Sequence, residues 1–147
     1  MHVRTFIPLM AIVALAAGCT TTAEHDDDHG SSPPPTDRVI AVTMTDAFRY
    51  EPDSFTVQAG ETVTFEVAND GAIVHEFLVG DEEQQAEFAE EMASGGGHHD
   101  GEDGVSVEPG ATERFTHTFE EAGDLLVGCH EPGHYEAGMV APITVTE

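Results

Sequence analysis

The segment "GCHEPGHYEAGM", residues 128–139, carries a cysteine, a histidine and a methionine at Cys129, His134 and Met139, with four residues in each gap. A thiolate, an imidazole and a thioether are soft to intermediate donors, better suited to copper than to calcium or magnesium. Structural zinc would call for more thiolates or histidines and would not use a methionine. A trigonal copper site takes a thiolate, two imidazoles and a weak axial sulfur, so one histidine is missing from the segment. His75 in "AIVHEFLVG" is the best candidate, because it lies in a strand-like apolar run where an ionisable side chain needs a partner. Alone it would read more simply as a buried histidine satisfied by a hydrogen bond; the trio downstream reverses that preference. A Cys-His nucleophile pair made from Cys129 with His134 or His75 would leave Met139 and both spacings unexplained. A dinuclear copper centre would need two cysteines on the loop, so one thiolate means one copper.

The chain that must position these residues begins with an export signal. In "MHVRTFIPLMAIVALAAGCT" one arginine precedes an apolar run from Phe6 to Ala17, too brief for a comfortable membrane span. Its ending, "LAAGC", resembles the lipobox of bacterial and archaeal lipoproteins, which makes Cys19 the expected lipidated first residue after removal of a signal peptide at 1–18. The plainer alternative is an ordinary signal peptide with a chance cysteine nearby. With Cys19 lipidated, Cys129 is the one remaining cysteine, and an intramolecular disulfide is excluded. A lone thiol outside the cytoplasm oxidises unless it is buried or bound to a metal. Residues 19–37, including "TTTAEHDDDHGSSPPPTD", are polar, acidic and proline-rich, and read as a disordered tether. The domain proper is expected over 38–147. The chain is therefore expected to be secreted across the cell membrane and to lie beyond it, anchored by lipid on its outer face or periplasmic.

All 29 acidic residues follow Cys19, and lysine is absent; the formal charge is −25. Such a surface repels nucleic acid and anionic lipid and favours cationic partners or metal ions. Adaptation to high salt explains it equally well, so charge alone does not name a function.

From Arg38 onward the pattern is period two. "ETVTFEVAN" sets Val63, Phe65 and Val67 on one face, "RVIAVTMT" separates Ile40, Val42 and Met44 from Val39, Ala41 and Thr43, and "ITVTE" closes the chain. Turn signals "QAGE", "NDG", "EPGA" and "EAGD" divide short strands in the manner of an antiparallel sandwich of seven or eight strands. "GDEEQQAEFAEEMAS" breaks the pattern. Asp81 is placed to N-cap a short helix with Gln84 three residues on, and Phe88 and Met92 are spaced to pack on the sandwich. A flexible acidic loop, "GGGHHDGEDG", follows.

A cysteine, histidine and methionine in one loop before the last strand, with a histidine far upstream, resemble the cupredoxins, the blue copper proteins. The resemblance covers about residues 38–147 and implies an all-β, antiparallel Greek-key sandwich with a helix and loop inserted after the first histidine. It implies one type 1 copper, with His75, Cys129 and His134 as strong ligands and Met139 as the axial one. It further implies that the amide next to His75 donates to the Cys129 sulfur, and that electrons pass at the edge of His134, flanked by Pro132, Tyr135 and Ala137. "HEFLVG" before an acidic helix, the histidine-bearing loop and "PGHYEAGM" are similar to periplasmic cupredoxins associated with copper tolerance, although the inserted loop lacks methionine. Halocyanin-like lipoproteins are the second likeness.

Other histidines are read more plainly. His130 follows Cys129 directly, so on a strand it faces the opposite way and is expected at the surface, where it is a candidate exit for an electron. His117 is a sheet residue. His25, His29, His98 and His99 lie among carboxylates, where they are candidates for weak secondary metal binding or simply solvated polar groups. The expected function is copper handling or tolerance outside the cytoplasm; the alternative is a lipid-anchored carrier between membrane oxidoreductases, its redox partner unidentified. No substrate pocket or second metal set is legible, so an enzyme is not expected.

Overall fold

A strand whose alternate residues are apolar buries one face and wets the other. Glu61–Asn69 does this along its whole length: Val63, Phe65 and Val67 are buried and the residues between them are half-exposed. A computed structural model describes residues 38–95 and 101–147. Cys19, His25, His29, His98 and His99, with the leader and tether, lie outside the described residues.

The elements run β1 (Arg38–Thr45), β2 (Arg49–Glu51), β3 (Phe55–Gln58), β4 (Glu61–Asn69), β5 (His75–Gly80), α1 (Glu82–Ala93), β6 (Gly104–Val107), β7 (Thr112–Phe119), β8 (Gly123–Gly128) and β9 (Val140–Thr146). They form two sheets, ordered β2-β1-β4-β7 and β3-β9-β8-β5-β6. The expected β-sandwich is present, with nine strands among the described residues because the short β2 and β3 also pair. Most pairings are antiparallel, but β1 with β4 and β3 with β9 are parallel. Those two arise where the chain crosses between sheets, which local alternation cannot reveal.

The core between the sheets is aromatic. Phe65 lies 4.9 Å from Phe77 and within 6.3 Å of Phe55, Phe115 and Phe119, ring centre to ring centre. Polar groups that enter the interior are matched. Asn69 donates to the carbonyls of Ile73 and Val107 and accepts from the amide of Gly71, which folds residues 70–74 into a fixed approach to β5. Glu61 accepts from the Gln58 amide and pairs with Arg38 at 3.3 Å.

The helix starts as its sequence demands. Asp81 accepts from the Gln84 amide and Gln84 reaches back to the Asp81 amide, with Glu82 and Glu83 in the first turn. Phe88 is buried as expected, while Met92 is only half-buried. The buried face also contains Gln85, whose amide donates to the carbonyls of Leu78 and Leu126 and ties α1 to β5 and β8.

Replacing Phe65 with alanine should lower stability by about 3–5 kcal/mol, the usual cost of emptying a core aromatic site. Ile73→Ala, at an exposed position, should stay within about 0.5 kcal/mol. Urea unfolding with an unchanged slope and a shifted midpoint is the measurement; equal midpoints for the two variants would contradict this account of the core.

Candidate metal centre

β5 and β8 are antiparallel neighbours with Leu78 opposite Gly128. The first residue of β5, His75, therefore lies beside the chain as it leaves β8 at Cys129. The segment from Glu131 to Gly138 then coils tightly. The His134 amide donates to the Glu131 carbonyl, the Ala137 amide to Gly133 and the Gly138 amide to Tyr135. Gly133 and Gly138 take positive φ, 85° and 95°, which side-chain-bearing residues adopt only at a cost. Met139 closes the loop: its amide donates to the His134 carbonyl, and its own carbonyl accepts from the Cys129 amide at 3.1 Å.

This folding brings three of the four expected ligands together. One donor atom each from His75, Cys129 and His134 lie within 4.8 Å of one another, and all three residues are buried. His134 Nδ1 is 3.3 Å from the Cys129 Sγ and 3.3 Å from His75 Nδ1. Met139 is fully buried at the end of the same loop. The Glu76 amide donates to the Cys129 Sγ at 3.3 Å, the interaction expected next to His75. His75 thus turns Nδ1 to the cluster and Nε2 outward to Asp46, 3.3 Å away.

Burial shifts the proton affinities of Cys129 and His75 in opposite directions. It pushes the Cys129 thiol up to about 12, against the lowering effect of the Glu76 and Glu131 amides. It lowers the His75 imidazole, a shift opposed by Asp46 and reinforced by His134. The Asp46 carboxyl is held below its ordinary range, first by the Ala72 amide and further by His75. A neutral imidazole is the form that binds a metal, whereas the thiol must lose its proton to do so.

Residues 38–146 match the family described as copper binding proteins, plastocyanin/azurin family. The chain belongs to the cupredoxins. Its similarity extends to the copper-resistant cuproprotein CopI of Rubrivivax gelatinosus, 39% identical over 109 residues that make up 74% of this chain and 66% of that protein. The CopI of Pseudomonas aeruginosa is 36% identical, over 74% of this chain and 76% of the relative. The chain thus spans just under two thirds of the Rubrivivax protein. Among solved structures, a dithionite-reduced auracyanin from Roseiflexus castenholzii superposes with a TM-score of 0.66 at 26% identity, over 77% of this chain and 100% of that one. Auracyanin A of Chloroflexus aurantiacus, at TM-score 0.63 and 23% identity over 76% and 100%, shares the fold.

The donor set of this cupredoxin fits copper: one sulfur and two imidazole nitrogens converge in a buried pocket, with a thioether buried at the close of the loop. The other histidines divide. His117 is a half-buried sheet residue against Phe115 and Phe119, as expected. His130, expected at the surface, is buried instead. Its ring stacks on Tyr135 at 4.7 Å, packs against Phe88 of α1 and meets the Gln85 Oε1 at 2.8 Å. It does point away from the cluster, but the inserted helix covers it.

The β1–β2 turn supplies contacts that sequence reasoning missed. Phe48 lies on His134 at 4.6 Å, the place where Tyr135 was expected to help form an apolar surround. Its φ is +57°, a left-handed conformation costing a bulky residue about 1–2 kcal/mol. Arg49 donates to the carbonyls of Phe48 and Gly138, at 2.7 and 3.1 Å. "TDAFRY" reads as an ordinary turn, and nothing in it signals a distant imidazole.

In the folded metal-free protein, Cys129 should react with a disulfide reagent such as DTNB more than about 100-fold slower than in urea, because its thiol is both buried and protonated. Reaction at the rate of an unfolded thiol would show that the site is open.

Proposed function

We propose that this cupredoxin handles copper outside the cytoplasm as part of copper tolerance, with a single copper held by His75, Cys129 and His134 and weakly by Met139. The observation that carries the reading is the buried convergence of one thiol and two imidazoles, and the CopI relatives, named for copper resistance, support the physiological role. Copper bound there supplies a one-electron couple. The chain's own residues do the rest. His75, whose burial favours the neutral imidazole, and His134 present nitrogen, Glu76 steadies the sulfur through its amide, and the closed loop keeps the sulfur buried. The protein acts by binding and redox rather than as an enzyme.

The leader supports export, and Cys19 supports lipid attachment, with 19–37 as the tether and 38–147 as the working domain. Among the described residues no helix is long and apolar enough to cross a membrane. His25, His29, His98 and His99 add weak sites for cupric ions among carboxylates. A carrier between membrane oxidoreductases is the second reading, favoured by the half-buried ring of Phe48 laid on His134, an apolar cover suited to a redox partner.

Cys129→Ser should abolish the visible thiolate-to-copper absorption of the oxidised protein, and full colour in that variant would sink the assignment. Met139→Leu should retain copper with a raised reduction potential, since a weaker axial donor favours the cuprous state; complete loss of copper would make Met139 a principal ligand.

Deleting the gene should reduce survival on copper, and replacing the four outlying histidines with alanine should do so partially while leaving the visible spectrum intact. Unchanged survival after deletion, together with a respiratory defect, would instead support the carrier.

A further inference from the structure

His75 is held from outside the cluster by a charged acceptor that lies far away in sequence. Asp46 Oδ1 is 3.3 Å from His75 Nε2, and both Asp46 oxygens accept from the Ala72 amide, at 3.0 and 2.9 Å. The carboxylate is thus fixed against the same 70–74 segment that leads into β5. Gly71 makes the approach possible, because a Cβ there would overlap Asp46 Oδ1.

The turn carrying Asp46 is pinned on its other side as well. Phe48, in its left-handed conformation, donates its amide to the Thr45 carbonyl and sets its ring on His134. Arg49 binds the carbonyl of Gly138, the residue before Met139, and a Cβ on Gly138 would crowd the guanidinium at 3.2 Å. Contacts from Asp46, Phe48 and Arg49, at and just after one short turn, therefore reach His75, His134 and the loop that ends at Met139. A turn needed only to join β1 to β2 would not require a strained Phe48 or a carboxylate aimed at a buried imidazole.

We propose that Asp46 is a positioning residue for the copper site: it accepts the Nε2–H of His75, fixes the tautomer that leaves Nδ1 free for the metal, and biases the bound ion toward the cupric state by its negative charge. The inference rests on His75 being a ligand. A carboxylate acceptor makes an imidazole a stronger donor, and removing such outer partners typically costs 10–100-fold in metal affinity. The Asp46 side chain is 46% exposed, so solvent screens its charge and the effect belongs at the lower end, about 10-fold.

Asp46→Asn tests this directly, because asparagine keeps an oxygen for the Ala72 amide and loses only the charge. The variant should bind one copper with its visible thiolate band retained, while the cupric form weakens about 10-fold relative to the cuprous. In a one-electron couple that raises the potential by about 59 mV, read by spectroelectrochemistry. In the metal-free protein, ¹⁵N–¹H long-range correlations should show His75 as the Nε2–H tautomer in the wild type and as a mixture in Asp46→Ala. Asp46→Ala should also release copper to a chelator faster than Asp46→Asn. An unchanged potential in Asp46→Asn with only a lowered unfolding midpoint would overturn the proposal, leaving Asp46 a turn-holding residue. Absence of any thiolate–copper band in the wild type would remove the ligand reading beneath it, an outcome distinct from a normal band with an indifferent Asp46.

Discussion

The amide of Glu76 meeting the sulfur of Cys129 is the contact on which the site's construction turns. A thiol in a dry interior is stable as a thiol, and burial raises its proton affinity so far that the metal-free site keeps it neutral. To serve as a thiolate it needs a donor that is already in place and requires no water. A backbone amide is the best such donor, since it cannot rotate away, but it comes only at the position set by strand register. The pairing of β5 with β8, Leu78 opposite Gly128, provides that register. His75 is brought to the cluster by the same alignment, one residue earlier on the strand. A one-residue slip of β5 would turn His75 to the other face and remove the amide from the sulfur together.

The register is in turn protected from several sides. Tyr50 donates its hydroxyl to the Glu76 carbonyl at 2.7 Å, linking β2 in one sheet to β5 in the other. Asn69 braces the approach to His75 through the carbonyls of Ile73 and Val107. The arginines among the described residues are also spent on structure. Arg38 pairs with Glu61, Arg114 with Glu66 at 2.6 Å, and Arg49 with the ligand loop. Among the described residues, most carboxylates are thus left without an arginine partner.

What was legible in the sequence was whatever is local or periodic. The alternation in Glu61–Asn69 and the Asp81–Gln84 capping pair act within a few residues and take their expected form, and the short loop that follows β8 brings Cys129 and His134 together. His75 was legible because a lone imidazole in an apolar strand requires an explanation. The parallel pairing of β1 with β4 was not, since it depends on a crossing between sheets. Asp46, Phe48 and Arg49 escaped for a related reason: their partners lie 26 to 89 positions away, and an aspartate in a turn is the ordinary outcome of turn chemistry. His130 was misjudged because strand alternation gives its direction but cannot foresee that a helix will be laid over it.

That helix bears on how the inserted segment relates to the metal centre. Gln85 binds the carbonyls of Leu78 and Leu126, strand residues on either side of the β5–β8 pairing, and meets the ring of His130. The amide of His130, the peptide that follows Cys129, donates to Glu76 Oε2 at 3.1 Å, while Ser106 of β6 donates to Glu76 Oε1. Glu76 is therefore held by its amide, its carbonyl and its side chain at once, and two of those links lead to Cys129 or its neighbour. Three hydrogen bonds, joined through the covalent frames of His130 and Glu76, connect Gln85 of α1 to the sulfur. The inserted helix is thus tied to the Cys129–His130 peptide through contacts that include no ligand side chain.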